Sequence, residues 1–220
     1  MKALVTGGTG LVGRYVVETL IDAGYEVVVS GRTKPADGLF SQPVEFRPAR
    51  LDPNWKPGAL FADIDVFIHA AFEHLPGRYR GGEGDDPDGF RRSNLEGTVS
   101  LFNAAKLAGI RHVVFLSSRA VYDGVPHGTP LTEDLTLQPT SLYGEIKLAG
   151  EQAMAALNAP DFITSSLRLT GVYGDLRPNK WDTLFADYLA GRPAPVRAGS
   201  EVHGRDVGQA VRLILETEPD

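Results

Sequence analysis

The chain has 220 residues, of which 42% are hydrophobic and 23% are charged, and its formal net charge is -6. This composition is typical of a globular protein, and the acidic balance argues against nucleic acid as a partner because no dense cluster of lysine and arginine offsets it. The lack of cysteine excludes disulfides and thiolate metal sites. Because the sequence shows neither a signal peptide nor an apolar stretch of about 18 residues, we expect a cytoplasmic protein with no membrane partner.

A glycine-rich turn follows the first predicted strand, Lys2–Thr6, and precedes an amphipathic helix predicted over Leu11–Ala23. Glycines in such a turn permit a tight bend, the close approach of the backbone to a pyrophosphate, and the packing of helix on strand. Free amides at a helix N-terminus also attract negative charge. An ordinary glycine-rich loop is the alternative, but the strand–turn–helix context favours dinucleotide binding. The predicted contacts here are Gly7, Gly10, Leu11, Val12 and Gly13.

The second predicted strand, Tyr25–Ser30, ends where this type of fold meets the adenosine ribose of the cofactor. An acid at that point favours NAD, but the residues that follow are Gly31, Arg32, Thr33 and Lys34, with no carboxylate among them. The guanidinium of Arg32 suits the 2′-phosphate of NADP. We therefore expect NADP to be preferred over NAD, with a solvated arginine at a strand end as the alternative.

Two further strands are predicted next. Val44–Phe46 is a weak one, and the Leu51 and Asp52 that follow it fall where chains of this fold contact the adenine, although a capping role suits Asp52 almost equally well. Asp65–Ala71 is a continuous apolar run, as a parallel sheet buried on both faces requires. Its small terminal residues, Ala70 and Ala71, would let a cofactor lie close. We expect His69, within the same run, to be structural rather than catalytic.

The segment from Phe72 to Arg92 is predicted to be a long loop beside the site, and residues 77–88 are predicted to be mobile. Two interpretations remain open: a lid over the site, or a solvated insertion without a task. Calcium binding is not expected because the spacing of an EF-hand is absent. The charged residues and histidine of this segment that we considered are Glu73, His74, Arg78, Arg80, Glu83, Asp85 and Asp86.

A long helix is predicted from Asp88 to Gly109, with Asn94 near its middle. Asparagine is a poor helix former, so we expect Asn94 to have an inward role. The buried strand Val113–Leu116 follows and delivers Ser117 and Ser118 to its C-terminal edge, where open α/β sheets place their ligands.

Tyr143 and Lys147 lie four residues apart, on one face of a helix predicted over Ser141–Leu157. A tyrosine four residues before a lysine is a weak pattern alone, and the alternative is that both are ordinary surface residues of the helix. The combination with the phosphate turn and the strand-end serine earlier in the chain makes the pattern specific. A phenol with a pKa near 10 must lose about three units to exchange protons at neutral pH, which requires roughly 4 kcal/mol of phenolate stabilisation. A nearby lysine ammonium can supply this. The hydroxyl of Ser118 would bond the substrate oxygen.

The chain resembles the extended short-chain dehydrogenase/reductase family, also called the NAD-dependent epimerase/dehydratase family, from Lys2 to about Val211. The resemblance implies a doubly wound, mostly parallel α/β fold with a small C-terminal substrate-binding part. The motifs that carry it are Thr6–Gly13, His69–Ala71, Asn94–Thr98, Phe115–Tyr122, Tyr143–Lys147 and Leu167–Gly174.

The resemblance also implies roles for individual residues. Tyr143 would be the acid/base, Lys147 would lower its pKa and hold the nicotinamide ribose, and Ser118 would polarise the substrate. Asn94 would be linked to the cofactor ribose or to the lysine through water, and the backbone from Leu169 to Val172 would border the nicotinamide. Relatives often form homodimers through a two-helix face, which we carry over as an expectation.

The expected function is hydride transfer between a nicotinamide cofactor and a carbonyl/alcohol substrate: a sugar, sugar nucleotide, sugar acid or small ketone. An epimerase or dehydratase that recycles its cofactor is one alternative, and a dinucleotide-sensing module without turnover is another. We expect a dinucleotide-binding core over residues 1–170 and a small substrate-binding segment over 171–220. Family members are longer, so the substrate part is minimal, is completed by a partner, or is truncated.

Overall fold

A computed structural model describes residues 1–75, 82–177, 179, 181–193 and 199–217. A π-helical turn, Arg92–Gly97, joins α2 to α3, and a 3₁₀ helix, Arg119–Tyr122, follows β5. The strands and helices in chain order are β1 (Lys2–Thr6), α1 (Leu11–Asp22), β2 (Glu26–Gly31), β3 (Glu45–Pro48), β4 (Val66–His69), α2 (Pro87–Arg91), α3 (Thr98–Leu107), β5 (His112–Ser118), α4 (Leu142–Ala155), β6 (Ile163–Leu169), β7 (Gly171–Tyr173), α5 (Asp182–Leu189), β8 (Glu201–His203) and α6 (Gly204–Glu216).

The main sheet has six strands in the order β3-β2-β1-β4-β5-β6, and every neighbouring pair is parallel. The strand order therefore reverses between β1 and β4, which makes this point the topological switch of a doubly wound sheet. Ligands of such sheets bind in the crevice outside the carboxyl ends of the strands at the switch. The predicted fold class, a doubly wound α/β protein, is confirmed.

Helices cover both faces of this sheet, which explains why its central strands are almost continuously apolar. On one face, α1 and α6 pack together over β1 and β2 through residues such as Val16, Leu20 and Val211. On the other face, Phe67 of β4 lies among residues of α3 and α4 that include Phe102 and Met154. Both apolar clusters pack against the strands whose carboxyl ends line the crevice. A packed core therefore holds these strand ends in place.

The helix predicted from Asp88 to Gly109 is helical from Pro87 to Leu107, but it contains the π-helical turn. Such turns are rare and often occur at functional sites. A Cβ on Gly97, the last residue of this turn, would lie 2.6 Å from the carbonyl carbon of Leu51, so the glycine allows the turn to rest on the backbone after β3. The spacing of apolar residues predicted the helix but carried no sign of the extra residue in its turn.

Several boundaries differ from the predicted ones. β3 begins one residue later than predicted and runs to Pro48. β4 ends at His69, although the backbone N–H of Ala70 still donates to the Thr6 carbonyl oxygen of β1 at 3.1 Å. β7 and β8 form a separate parallel pair beyond residue 170. The division into a core and a substrate-binding segment at that residue stays a prediction. In the ranges that the structure describes, no helix is long and apolar enough to cross a membrane.

Candidate active site

A cavity of about 870 Å³ runs along the carboxyl edge of the main sheet. All six strands contribute to its wall at or just beyond their C-terminal ends, and the N-terminal turn of α1 closes one side. Fourteen predicted site residues line it, namely Gly7, Gly10, Leu11, Val12, Gly13, Arg32, Leu51, Ala70, Ala71, Ser118, Tyr143, Lys147, Leu169 and Val172.

Two predicted site residues, Asp52 and Asn94, are not among the residues that line the cavity. The carboxylate of Asp52 accepts a hydrogen bond from the backbone N–H of Asn54 at 2.9 Å. This geometry is an Asx turn rather than a helix cap, because no helix begins at this point of the chain. A contact between Asp52 and the adenine stays a prediction.

The glycines of the first turn have different tasks. Gly7 has a positive φ of 69°, and a Cβ there would lie 2.7 Å from the backbone nitrogen of Ala71. A Cβ on Gly13 would lie 2.7 Å from the Cα of Gly8. Both glycines are therefore required by contacts within the protein. Gly10 differs, because the nearest atom to a Cβ there is the Gly7 carbonyl oxygen at 3.2 Å.

The N-terminus of α1 is suited to a phosphate. Gly10 is its N-cap, no side chain caps the helix, and its first turn contains no acid. The first amides of a helix have no partner within it, and they carry the positive end of the helix dipole. The turn therefore presents unshielded donors to the cavity, as a pyrophosphate site requires.

Two serine hydroxyls in the cavity wall are buried without a hydrogen-bond partner, Ser30 at the end of β2 and Ser117 at the end of β5. Leaving such a hydroxyl unpaired costs about 1–3 kcal/mol, but both oxygens are closed to solvent and do not open directly into the cavity. The uncapped N-terminus of α1 is therefore the feature of the wall that suits a dinucleotide phosphate. Neither serine was predicted as a contact; the available signal was their position at strand ends.

Lys147 is 4% exposed, and its ammonium donates a hydrogen bond to the carbonyl oxygen of Leu116 at 2.8 Å. The nitrogen also lies 4.7 Å from the ring centroids of Phe72 and of Phe115. Burial lowers the pKa of Lys147 to about 7, while the charge of Glu151 opposes this shift. Negative charge that enters the cavity would favour the ammonium form.

Tyr143 lies in the first turn of α4, which Ser141 caps by accepting a hydrogen bond from Gly144 N at 3.2 Å. The Tyr143 ring packs edge-on against Phe72, with centroids 5.0 Å apart, and Lys147 Nζ lies 6.0 Å from the centroid of Tyr143. Phe72 thus contacts both predicted catalytic side chains. Phe72 was not predicted as a site residue, although it directly follows the two alanines after β4.

Ser118 ends β5, and its hydroxyl oxygen accepts a hydrogen bond from the backbone N–H of Ala120 at 3.1 Å. A serine hydroxyl has one hydrogen to donate and two lone pairs. The bond to Ala120 uses a lone pair, so the hydrogen stays available for an oxygen in the cavity. This arrangement suits the predicted role of Ser118 towards a substrate.

Asn94 is buried in the π-helical turn and fixes the chain that follows β4. Its side-chain oxygen accepts from the N–H of Glu73 at 2.7 Å, and its amide donates to the carbonyl oxygens of Glu73 at 2.8 Å and Phe90 at 3.1 Å. The inward role of Asn94 is therefore to hold the backbone of Glu73, the residue after Phe72, by two hydrogen bonds. A link from Asn94 to the cofactor stays a prediction.

His69 is fully buried, with its ring nitrogens 2.7 Å from the Thr6 hydroxyl and 2.9 Å from the Thr98 hydroxyl. Burial, and to a lesser extent the charge of Lys147, lowers the pKa of His69 to about 3. The imidazole is thus neutral and paired at both nitrogens, which agrees with the structural role predicted for it.

The predicted loop from Phe72 to Arg92 is only partly described. Leu75 N–H donates to the carbonyl oxygen of Gly82 at 3.0 Å, and α2 begins within the predicted loop, at Pro87. Arg78 and Arg80 lie outside the described residues. Among the residues that are described, no group of acids and histidines could hold a metal ion. The lid interpretation stays a prediction.

A doubly wound parallel sheet with an uncapped glycine turn at its switch point, and with a serine, a tyrosine and a lysine at the same cavity, defines a class of nicotinamide-dinucleotide enzyme folds. Comparison with known proteins agrees. The chain belongs to the NAD dependent epimerase/dehydratase family, whose sequence model matches residues 3–219.

Relatives with curated functions include two bacterial UDP-glucose 4-epimerases. The Lactobacillus helveticus protein is 32% identical over 183 residues, which are 79% of this chain and 52% of that protein. The Bacillus subtilis protein is 32% identical over 170 residues, or 73% of this chain and 49% of that one. The chain thus spans about half the length of these relatives.

Solved structures show the same fold. The Thermus thermophilus UDP-glucose 4-epimerase in complex with NAD has a TM-score of 0.82 and 27% identity, covering 99% of this chain and 75% of that chain. MoeE5 in complex with UDP-glucuronic acid and NAD has a TM-score of 0.80 and 27% identity, covering 100% of this chain and 73% of that one.

Proposed function

We propose that the protein is an enzyme that binds a nicotinamide dinucleotide along the edge of the main sheet and acts on a hydroxyl-bearing carbon of a sugar nucleotide. The observation that carries the proposal is that Ser118, Tyr143 and Lys147 line the same cavity as the glycine turn. Among the alternatives left open by the sequence, the epimerase/dehydratase type of reaction has the support of the family and of the UDP-glucose 4-epimerase relatives.

The residues divide into those that hold the dinucleotide and those that handle the proton. The amides around Gly10 and the start of α1 would bind the pyrophosphate, with Ala70 and Ala71 beside them. A bound nicotinamide would supply the hydride chemistry. Tyr143 would take the proton from the substrate hydroxyl and return it, while the hydrogen of Ser118 bonds the same oxygen.

Lys147 would act on both groups. Its ammonium donates a hydrogen bond to the Leu116 carbonyl and lies 6.0 Å from the ring centroid of Tyr143. From this position it would stabilise a phenolate and bind the nicotinamide ribose. Because burial lowers the pKa of Lys147 to about 7, the anionic phenolate and the lysine would favour each other's charged form.

A net dehydrogenase is the second candidate, because Ser118, Tyr143 and Lys147 at one cavity would equally serve proton transfer with a cofactor that leaves after each turnover. An epimerase returns the hydride to its own substrate, whereas a dehydrogenase must exchange its cofactor at each turnover.

A preference for NADPH over NADH is the finer part of the proposal and rests on Arg32. Its side chain is 73% exposed and lies 3.7 Å from a carboxylate oxygen of Glu73. An exposed ion pair of this kind is worth little, so a 2′-phosphate could displace it. The two neighbouring structures described above contain NAD, which is a property of those proteins.

A homodimer is also a proposal. α3 and α4 pack side by side, and Leu107 at the end of α3 is 90% exposed. Sedimentation of the wild-type chain and of Leu107→Lys tests it: a wild-type dimer that the lysine disrupts supports the two-helix interface.

The test of the reaction uses the full chain with UDP-glucose, UDP-galactose or UDP-glucuronic acid and each oxidised nucleotide. Product analysis by NMR reports a change of epimer or loss of water, and absorbance reports reduced nucleotide. A new sugar without net reduction supports the epimerase/dehydratase type, and stoichiometric reduction supports the dehydrogenase. If neither appears although the dinucleotide binds, the enzyme proposal is wrong and the sensing module replaces it.

A further inference from the structure

Arg119 stands beside the proposed catalytic serine. It directly follows Ser118, begins the 3₁₀ helix, is exposed, and lines the cavity with Ser117 and Ser118. Because both residues line one cavity and their Cα atoms are about 3.8 Å apart, a small ligand beside Ser118 would lie within the length of the Arg119 side chain. The segment that holds the reacting oxygen therefore also carries a fixed positive charge.

Other arginines near this part of the fold are paired with acids. Arg91 is 2.9 Å from a carboxylate oxygen of Glu145, and Arg168 is 2.9 Å from one of Glu151. The side chain of Arg119 has no hydrogen bond or ion pair with any residue in the part of the chain that the structure describes. Its donors are available to a ligand without the loss of a contact within the protein.

The cations of the cavity are separated by the sheet. Arg32 follows β2 and Arg50 follows β3, whereas Arg119 follows β5. With strands spaced by about 4.8 Å, β2 and β5 are about 14 Å apart in the observed order. Arg32 and Arg50 would thus lie at the end of the cavity that takes the adenosine, and Arg119 lies at the end that takes the reacting group. The buried ammonium of Lys147 at that end already donates a hydrogen bond to the Leu116 carbonyl.

Two acids also line the cavity. Glu73 faces Arg32, and Glu201 of β8 holds its carboxylate over Gly171, where a Cβ would lie 2.5 Å from Glu201 Cδ. Neither acid pairs with Arg119. The wall beside Ser118 therefore keeps an uncompensated cation.

We propose that Arg119 binds an anionic substituent of the sugar other than the pyrophosphate of the nucleotide, a carboxylate or a further phosphate on the sugar whose oxygen Ser118 bonds. The inference rests on the proposed function and narrows its substrate to a sugar nucleotide whose sugar carries a second anionic group. A guanidinium binds either group through two parallel N–H···O bonds, so it fixes the orientation of the sugar as well as its charge.

The experiment compares matched ligands on the dinucleotide-loaded full chain. UDP-glucuronic acid against UDP-glucose tests the carboxylate, and glucose 6-phosphate against glucose tests the further phosphate. In the wild type we expect one anionic member to bind more tightly than its partner by about tenfold to a hundredfold, as the loss of a charge-assisted hydrogen bond implies. Arg119→Gln should reduce that ratio to about one, and Arg119→Lys should retain part of it.

Arg111→Gln is the control, because Arg111 is exposed and precedes the same strand at its opposite end. Dinucleotide affinity should be equal in all variants. Three results would overturn the inference. The wild type binds both members of each pair equally, or the preference for the anionic member survives in Arg119→Gln, or Arg119→Gln loses only dinucleotide affinity. Titration by calorimetry reads binding without turnover, so a wild type that binds the anionic ligand through Arg119 yet converts nothing refutes the proposed function while the inference stands.

Discussion

The two ends of the cavity are built differently. At the proposed dinucleotide end, β1 and β2 are buried along nearly their whole length, and Gly7 and Gly13 bring backbone against backbone. At the proposed substrate end, β7 and β8 form a two-stranded sheet, and α5 buries no residue. A pyrophosphate is the same in every dinucleotide, so its site can be rigid, whereas a substrate site varies with the substrate and must be adaptable.

The substrate end is attached mainly through α1, the helix that starts at the glycine turn. Val207 and Val211 of α6 are buried in the same apolar cluster as α1, and a Cβ on Gly208 would lie 2.9 Å from the Tyr15 carbonyl oxygen. The helix that presents amides to the phosphate thus also holds the segment beyond Gly171. Mutations on different faces of α1 can therefore separate the two ends.

The largest expected effect is at the dinucleotide end. Gly10→Val should abolish dinucleotide binding and leave the fold intact, because a Cβ there meets only the Gly7 carbonyl oxygen at 3.2 Å while the branched side chain fills the phosphate approach. Gly13→Val is the contrast, since its Cβ would clash with the Gly8 backbone and should destabilise the protein itself. Circular dichroism and nucleotide titration separate the outcomes, and full binding by the Gly10 variant would contradict the assignment of the turn.

The second effect is on chemistry without binding. Tyr143→Phe should lower turnover by about 10²–10⁴ while dinucleotide affinity stays nearly unchanged, because only the proton transfer is lost. Single-turnover kinetics with the sugar nucleotide and a nucleotide titration measure the two quantities. A variant as fast as the wild type would mean that another group moves the proton, with His74 and His203 as the next candidates.

Lys147→Met should affect both binding and chemistry. The substitution removes a cofactor contact and the positive charge that stabilises a phenolate, so affinity and turnover should fall together and the tyrosine limb of the pH–rate profile should move to higher pH. Lys106→Met is the control, because Lys106 also donates to a backbone carbonyl, that of Leu157, but lies on the surface of α3. An unshifted pH limb in the Lys147 variant would contradict its effect on Tyr143.

These residues were predictable from sequence because their signals are local. A glycine turn between a strand and a helix, and a tyrosine four residues before a lysine, depend on neighbours along the chain. The contacts made by Phe72, the orphan hydroxyls of Ser30 and Ser117, and the packing of α6 on α1 depend on residues far apart in the chain. No periodicity encodes them, and the same holds for the π-helical turn that aims Asn94 at Glu73.

A smaller effect concerns which dinucleotide is bound. Arg32→Ala should weaken NADPH binding by about 1.5–3 kcal/mol and leave NADH binding nearly unchanged, because only the 2′-phosphate would contact the guanidinium. Fluorescence titration of both nucleotides with both proteins measures the difference. Equal affinities of the wild type for the two nucleotides, or an unchanged NADPH affinity in the variant, would contradict the preference.

The smallest effect tests the attachment of the substrate end. The Tyr15 hydroxyl donates to the Asp175 carboxylate at 2.6 Å and accepts from Leu176 N–H at 3.0 Å. Tyr15→Phe removes both bonds but keeps the ring against Gly204, and Arg205 still holds the other oxygen of Asp175 at 2.7 Å.

The free energy of unfolding should therefore fall by about 0.5–1.5 kcal/mol for each bond lost, and amide exchange should rise from Asp175 onwards while dinucleotide affinity is kept. Tyr25→Phe is the matched control, since the Tyr25 hydroxyl is buried without a hydrogen-bond partner and its removal should cost nothing. If Tyr15→Phe instead weakened dinucleotide binding and left exchange beyond Asp175 unchanged, the hydroxyl would serve the phosphate turn, and the two ends of the cavity would be coupled through α1 rather than merely attached to it.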